Sequence, residues 1–293
     1  MAMMASRKFP VIPSLLALGA LALTACSPLT AFNTLTPKDP AAIVGRGVPF
    51  GANPRQKLDI YAPRGGVKAV PVLVFFYGGG WNSGRRQDYR FVAKALAAQG
   101  FLTIVPDYRV YPEVRYPEFL VDGAMAVRWA QDHAAEYGGD PTSILLAGHS
   151  AGAYNAVELA LDDRFLKAAG VDLRRIKGVA GLAGPYDFLP LDVGETKDAF
   201  GQAPDLPSTQ PVNHVRNDAP PVFLAHGDRD TVVGPYHTEN LAKALVGVNA
   251  PVEKHIYAGV GHGGLVLALS QPFRGNGPVL VDMTRFLKAA AAR

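Results

Sequence analysis

Ile144-Leu145-Leu146-Ala147-Gly148-His149-Ser150-Ala151-Gly152-Ala153 is the stretch that decides the fold. An apolar run ends in Gly-x-Ser-x-Gly and leads at once into helix-forming sequence. That is the pattern of a sharp strand-to-helix turn holding a serine out at the edge of a sheet. Both glycines are expected where a Cβ would collide with the turn or where the backbone needs unusual angles. Behind Ser150, Ala153, Val157, Ala160 and Leu161 recur at i, i+4, i+7 and i+8, which gives the helix one apolar face to lay on the sheet.

The same kind of unit repeats on either side. Val70–Phe76, residues 101–105, Ile176–Leu182 and residues 222–225 are continuous or nearly continuous apolar runs and read as buried strands, and Val252–Tyr257 reads as a further strand. Leu58-Asp59-Ile60-Tyr61 alternates like a half-exposed strand. Helical spacing appears at Val92, Ala95, Leu96 and Gln99, at Phe119, Gly123, Ala126, Val127 and Ala130, over residues 236–246, and at Val279, Met283, Phe286, Leu287 and Ala290. Strands alternating with helices predict an α/β protein, with a mostly parallel central sheet flanked by helices on both faces. Residues 184–220 break this pattern with a Pro-rich segment, too short for a domain and long enough for a lid-like insertion.

The 293 residues suffice for one large α/β domain with a sizeable core, and an apolar share of 48% excludes disorder over most of the length. The formal charge of +4 falls by two without Arg7 and Lys8, leaving no argument for nucleic acid as a partner. Residues 1–25 have the layout of a signal peptide: a basic start, a short apolar middle interrupted by Pro13, and small residues at the end. Leu23-Thr24-Ala25-Cys26 resembles the bacterial lipobox, and Cys26 is the one cysteine of the chain. Lipidation there would anchor an exported bacterial protein to a membrane. Because Ser27 is not aspartate, the resemblance favours the outer membrane. Residues 26–54 then read as a lipidated tether with an irregular edge, and 55–293 as the globular domain.

A serine hydroxyl is a weak nucleophile and needs an adjacent base that is itself held by an acid. Downstream of Ser150, residues 222–225 run into a loop containing Asp228 and Asp230. His262 follows the last strand within Gly259-Val-Gly-His-Gly-Gly264, a loop flexible enough to swing an imidazole toward the serine. Ser150, Asp230 and His262 are therefore the expected catalytic residues, with Asp228 the competing acid. His149 is expected to support packing, His226 and Asp228 to shape the acid loop, and His255 to lie at the surface. Tyr77-Gly78-Gly79-Gly80-Trp81 supplies unobstructed backbone N–H groups after Val70–Phe76. With the N–H of Ala151 they can form an oxyanion hole. No clustered ligands have zinc spacing, so neither a metal nor a cofactor is implied.

These residues resemble the esterase/lipase branch of the α/β-hydrolase superfamily, more narrowly the hormone-sensitive-lipase-like carboxylesterases and the carbohydrate-acetyl and feruloyl esterases. The resemblance runs from about Gln56 to the C-terminus. Its marks are Tyr77 to Trp81, Val105 to Arg109, Gly139 to Pro141, Gly148 to Gly152, Gly184 to Phe188, Asp230 and His262. It implies an α/β-hydrolase fold, with Ser150 as nucleophile, Asp230 as acid, His262 as base, and Gly79, Gly80 and Ala151 as oxyanion donors. It also implies that residues 107–109 form a structural turn. Tyr77 stands where the motif usually has histidine, and its hydroxyl could pin the glycine loop or itself donate to the oxyanion. The expected function is a serine carboxylesterase hydrolysing small-molecule esters, short-chain or aryl/carbohydrate, through an acyl-enzyme. Trp81, Tyr186, Phe188, Tyr236 and Leu265 are the candidates for the substrate pocket. Three alternatives use the same residues: an aryl-formamide hydrolase, an acyltransferase, and a catalytically inactive hydrolase fold serving as a binding module.

Overall fold

The computed structural model describes residues 28–66 and 68–293, which fall into two units. Residues 1–25 and Cys26 lie outside the described residues. The first unit ends at Thr36 and contributes helix α1 (Pro28–Leu35). The second, Pro37–Arg293, is built on strands β1 (Ala41–Pro49), β2 (Lys57–Pro63), β3 (Val70–Phe76), β4 (Leu102–Pro106), β5 (Gly139–His149), β6 (Ile176–Leu182), β7 (Val222–Gly227) and β8 (Val252–Tyr257). Its helices are α2 (Arg90–Ala98), α3 (Glu118–His133), α4 (Ala151–Leu161), α5 (Arg164–Ala168), α6 (Gly194–Phe200), α7 (Tyr236–Gly247), α8 (His262–Leu267) and α9 (Val279–Ala291). Among the described residues no helix is long and apolar enough to cross a membrane.

The eight strands form one sheet in the order β1-β2-β4-β3-β5-β6-β7-β8. β1 and β2 pair antiparallel, as do β2 and β4, and every other pairing is parallel. β7 is buried throughout, as a strand covered on both faces requires, and this is why its sequence reads as an unbroken apolar run. In register, Phe76 faces Gly148, His149 faces Leu182, and Gly227 faces Tyr257. The carboxyl ends of β3, β5, β7 and β8 therefore open along one edge, where parallel sheets place functional loops.

Two elements differ from their sequence reading. Residues 41–49, read as an irregular edge, form β1. Register shifts between Ile43 and Gly45 and between Gly45 and Val48 break the alternation that would have announced a strand. β2 is no half-exposed strand: β1 and β4 pair with its two edges, and residues 58–62 are buried. Asp59 is buried there with its carboxylate on Arg86 Nε at 2.8 Å and the Gly47 N–H at 2.8 Å. Residues 37–54 thus belong with the sheet and not with a tether.

Candidate active site

The strand-to-helix turn at Ser150 is as tight as the pentapeptide implies. Ser150 adopts φ 57°, ψ −126° between β5 and α4, a conformation that costs a non-glycine residue on the order of 1–3 kcal/mol. Its N–H donates to the Leu182 carbonyl at 2.8 Å, fixing the turn to the end of β6. A Cβ on Gly148 would stand 2.1 Å from the Gly152 carbonyl oxygen. One on Gly152 would stand 2.2 Å from that of Phe76 and 2.3 Å from that of Tyr77. The motif's outer positions are therefore glycine because α4 leaves the turn in backbone contact with both β5 and the end of β3.

Ser150, Asp230 and His262 meet above this edge. Ser150 Oγ lies 2.9 Å from His262 Nε2, and His262 Nδ1 lies 2.7 Å from Asp230 Oδ2. Since a carboxylate only accepts, Nδ1 carries the proton and Nε2 is left to accept from the serine hydroxyl. His262 is not on a free loop but opens α8, with Leu265 N–H bonded back to the Gly261 carbonyl at 3.1 Å. The loop before it crosses the end of β7 so closely that a Cβ on Gly227 would meet the Val260 carbonyl oxygen at 2.0 Å.

Asp230 is held from four directions. Its Oδ1 accepts the N–H groups of Val232 and Val233, each at 2.9 Å, and its Oδ2 accepts from His262 and, at 3.1 Å, from His226 Nε2. Burial disfavours the charge. The hydrogen bonds from His226, His262 and Val233 outweigh it and keep the carboxyl well below the usual carboxylate range. His226 is fully buried, with its Nδ1 on Thr238 Oγ1 at 2.9 Å, so it sets the orientation of the acid. Asp228 is exposed and accepts the Gly259 N–H at 2.6 Å, which makes it a turn residue joining the two loops.

A second polar series runs behind the serine. His149 Nε2 donates to the His262 carbonyl at 3.2 Å, and its Nδ1 therefore accepts from the Tyr89 hydroxyl at 3.1 Å. That hydroxyl also receives the Gly78 N–H. Burial, and then the neighbouring His262, push His149 down to about 3, so the ring is neutral. Tyr89 has no motif around it that would have revealed this part in the sequence.

The glycine loop carries the remaining machinery. Gly78 packs on the turn, where an added Cβ would sit 3.0 Å from Ser150 Cβ. Gly79 and Gly80 have φ 136° and 57°, and neither donates its N–H to another group among the described residues. Ala151, the first helical residue, has no intrahelical acceptor for its N–H and sits at the positive end of α4. Tyr77 points the other way. Its hydroxyl accepts from Arg55 Nη2 at 3.2 Å and donates to Asp107, while its ring stacks on Tyr108 at 4.8 Å. Arg55 also binds the carbonyls of Tyr108 and Gly84, both at 2.6 Å, and so clamps both ends of the loop. Asp107 in turn binds the Arg86 N–H and guanidinium, a structural role.

The five pocket candidates separate. Trp81 and Phe188 join Phe119, Tyr154 and Phe200 in a buried aromatic cluster, with Trp81 Nε1 on Asn155 Oδ1 at 3.1 Å. Tyr186 is fully buried against Gly181 and Gly184, and so belongs to the core behind β6. Leu265 is fully buried on α8, whereas Tyr236 is 52% exposed with its ring tilted against that of His237. The insertion 184–220 is fastened to the body by Phe188 and Phe200, which pack on Trp81 and Tyr154, and by Tyr154 Oη on the Thr209 carbonyl at 2.8 Å. Between Phe188 and Phe200 in the chain, Glu195 lies against Gly80.

Sheet order, turn and loops define an α/β-hydrolase. The chain belongs to the BD-FAE family, whose pattern matches residues 58–245. Among similar proteins, the isoprenylcysteine alpha-carbonyl methylesterase ICME of Arabidopsis thaliana is 27% identical over 82% of this chain and 60% of its own length. Esterase LipC of Mycobacterium tuberculosis is 30% identical over 74% of this chain and 59% of its own. The chain thus spans little more than half the length of these relatives. Esterase B from Lactobacillus rhamnosis superposes with a TM-score of 0.77 at 20% identity, covering 94% of each chain. A truncated carbohydrate esterase from gut microbiota superposes with a TM-score of 0.74 at 21% identity, covering 87% of this chain and 98% of its own. At such identities the likeness shows the fold.

Proposed function

We propose that the chain is a serine carboxylesterase acting on small-molecule esters. One observation carries this reading: the unbroken hydrogen-bonded series from Asp230 through His262 to Ser150. In this mechanism His262 takes the serine proton as Ser150 attacks the ester carbonyl. The imidazolium is stabilised by Asp230, which stays ionised. Gly79, Gly80 and Ala151 donate to the oxyanion, and water activated by the same histidine then releases the acid. The esterase names of the relatives support the reaction class. The aromatic cluster of Trp81, Phe119, Tyr154, Phe188 and Phe200 fills space between the glycine loop and α4, which favours short acyl groups.

The test is a panel of p-nitrophenyl esters of graded acyl length, run on the wild type and on Ser150→Ala. Acetate or butyrate is expected to be turned over fastest, with the variant losing at least about 10³-fold in kcat. Equal turnover by the variant would refute the mechanism. The anchor reading rests on the sequence at Leu23 to Cys26: export, cleavage before Cys26 and retention in the outer membrane. Loss of labelled palmitate incorporation in Cys26→Ser would support it, and unchanged incorporation would remove it.

A further inference from the structure

Away from Ser150, at the far end of α4, Glu158 is fully buried, and neither of its carboxylate oxygens has a hydrogen-bond partner among the described residues. Leaving an ionised carboxylate unpaired in an apolar interior is among the most costly arrangements in a protein. Its surroundings supply further metal-binding chemistry. Asp162 follows one turn later at the helix end, and His214, after the turn Pro211–Asn213 of the insertion, reaches back to both. His214 Nε2 lies 3.5 Å from Glu158 Oε1 and 3.9 Å from Asp162 Oδ2, and the ligand atoms of all three residues lie within 4.8 Å of one another. Ligands held about 2.0–2.2 Å from one ion stand roughly 3–4 Å apart, so these atoms need little movement to share one.

We propose that Glu158, Asp162 and His214 form a site for a divalent transition ion of the Zn²⁺ or Mn²⁺ type. His214 Nε2 is bonded at 2.9 Å to the Ser208 carbonyl, which also accepts from Tyr116 Oη at 3.2 Å and Arg164 Nη2 at 3.4 Å, so water is left to complete the ion's coordination. On binding, Nε2 gives up the proton it shares with that carbonyl and the imidazole protonates at Nδ1. Arg164 Nε, 2.6 Å from Asp162 Oδ2, offsets the charge of Asp162, and the ion takes the place of any proton on the buried Glu158 carboxyl, which is released to solvent. One imidazole with so few oxygens suits Zn²⁺ or Mn²⁺ better than Ca²⁺, which takes six to eight oxygens. The ion would tie the insertion to the helix that begins at Ser150. Fifty-two residues separate Asp162 from His214, so no ligand spacing in the sequence discloses the site.

The test uses the full chain without an affinity tag, stripped with EDTA and titrated calorimetrically with ZnCl₂, MnCl₂, CaCl₂ and MgCl₂, with thermal unfolding alongside. One equivalent of Zn²⁺ or Mn²⁺ is expected to bind and to raise Tm by about 5 °C or more at saturation. His214→Ala, altered at a partly exposed side chain, should fold, retain ester hydrolysis, and bind at least 100-fold more weakly without the Tm rise. Glu158→Gln should do the same if it folds, and His133→Ala, at an exposed histidine elsewhere, should bind as the wild type does. Absence of one-to-one binding, binding of Ca²⁺ or Mg²⁺ alone, or an unchanged affinity in His214→Ala would each overturn the proposal.

Discussion

The imidazole of His149 donates to the backbone carbonyl of His262 at 3.2 Å, so the residue just before the serine holds the backbone of the residue that reaches the serine side chain. His149 therefore acts as a positioning residue, its tautomer set by the His262 carbonyl, with the Tyr89 hydroxyl donating to its other nitrogen and the Gly78 N–H donating to Tyr89. A neutral hydrogen bond is worth about 0.5–1.5 kcal/mol, which corresponds to a rate change of roughly 2- to 12-fold. His149→Leu should lower kcat on p-nitrophenyl acetate by about that factor and leave KM unchanged, with Tyr89→Phe smaller in the same direction. A rise in KM with kcat intact would show that His149 shapes the substrate pocket instead.

Asp230 and Asp228 lie two residues apart and make opposite contributions. Asp230 orients the His262 ring from a buried position, whereas Asp228 is exposed and braces the Gly259 turn. Asp230→Asn should leave the fold intact and cost about 10⁴ in kcat, because an amide allows the wrong imidazole tautomer. Asp228→Asn should fall within a few-fold of the wild type. Steady-state kinetics on both variants check this, and a reversed order would move the acid to Asp228.

Burial makes the protein sensitive to acid. His149 is pushed down to about 3 by burial and then by His262. His237 is pushed down to about 4 by burial and then by His226. In the unfolded chain both regain a value near 6.5. Below that pH the unfolded chain binds protons that the folded one refuses, so stability falls as pH drops from about 6.5 toward the folded values. Each ring contributes a slope of up to about 1.4 kcal/mol per pH unit. Urea unfolding at pH 7, 6 and 5 should show this loss, with a visibly shallower slope in His149→Leu. An identical slope in the variant would mean that His149 is charged in the folded protein.

The sequence disclosed the features that repeat along the chain or sit in one short motif. Apolar runs placed β3 and β6 because strands covered on both faces have no polar side to confuse the pattern. Gly148 to Gly152 placed the turn because backbone contact tolerates only glycine at its outer positions. β1 escaped notice because two register shifts destroy its alternation, and β2 was misread because Asp59, polar in sequence, is buried on Arg86 and the Gly47 N–H. Arg55 and Tyr89 act through contacts made across the fold, by residue types that also occur on any surface.

The hydroxyl of Tyr77 decides what became of the histidine usual at this motif position. An oxyanion donor is worth about 10²–10³ in kcat, whereas a buried hydrogen bond in the scaffold contributes to stability. Tyr77 is bonded to Arg55 and Asp107, and its backbone carbonyl accepts from Tyr108 Oη at 2.7 Å, so both ends of the residue serve the scaffold. Tyr77→Phe should therefore lose about 1–3 kcal/mol of unfolding free energy, since Arg55 and Asp107 each lose a buried partner. Its kcat at a temperature where it is fully folded should stay within a few-fold of the wild type. A fall of a hundredfold or more in kcat, with stability unchanged, would instead assign the hydroxyl to the oxyanion and displace one of the two glycines from that role.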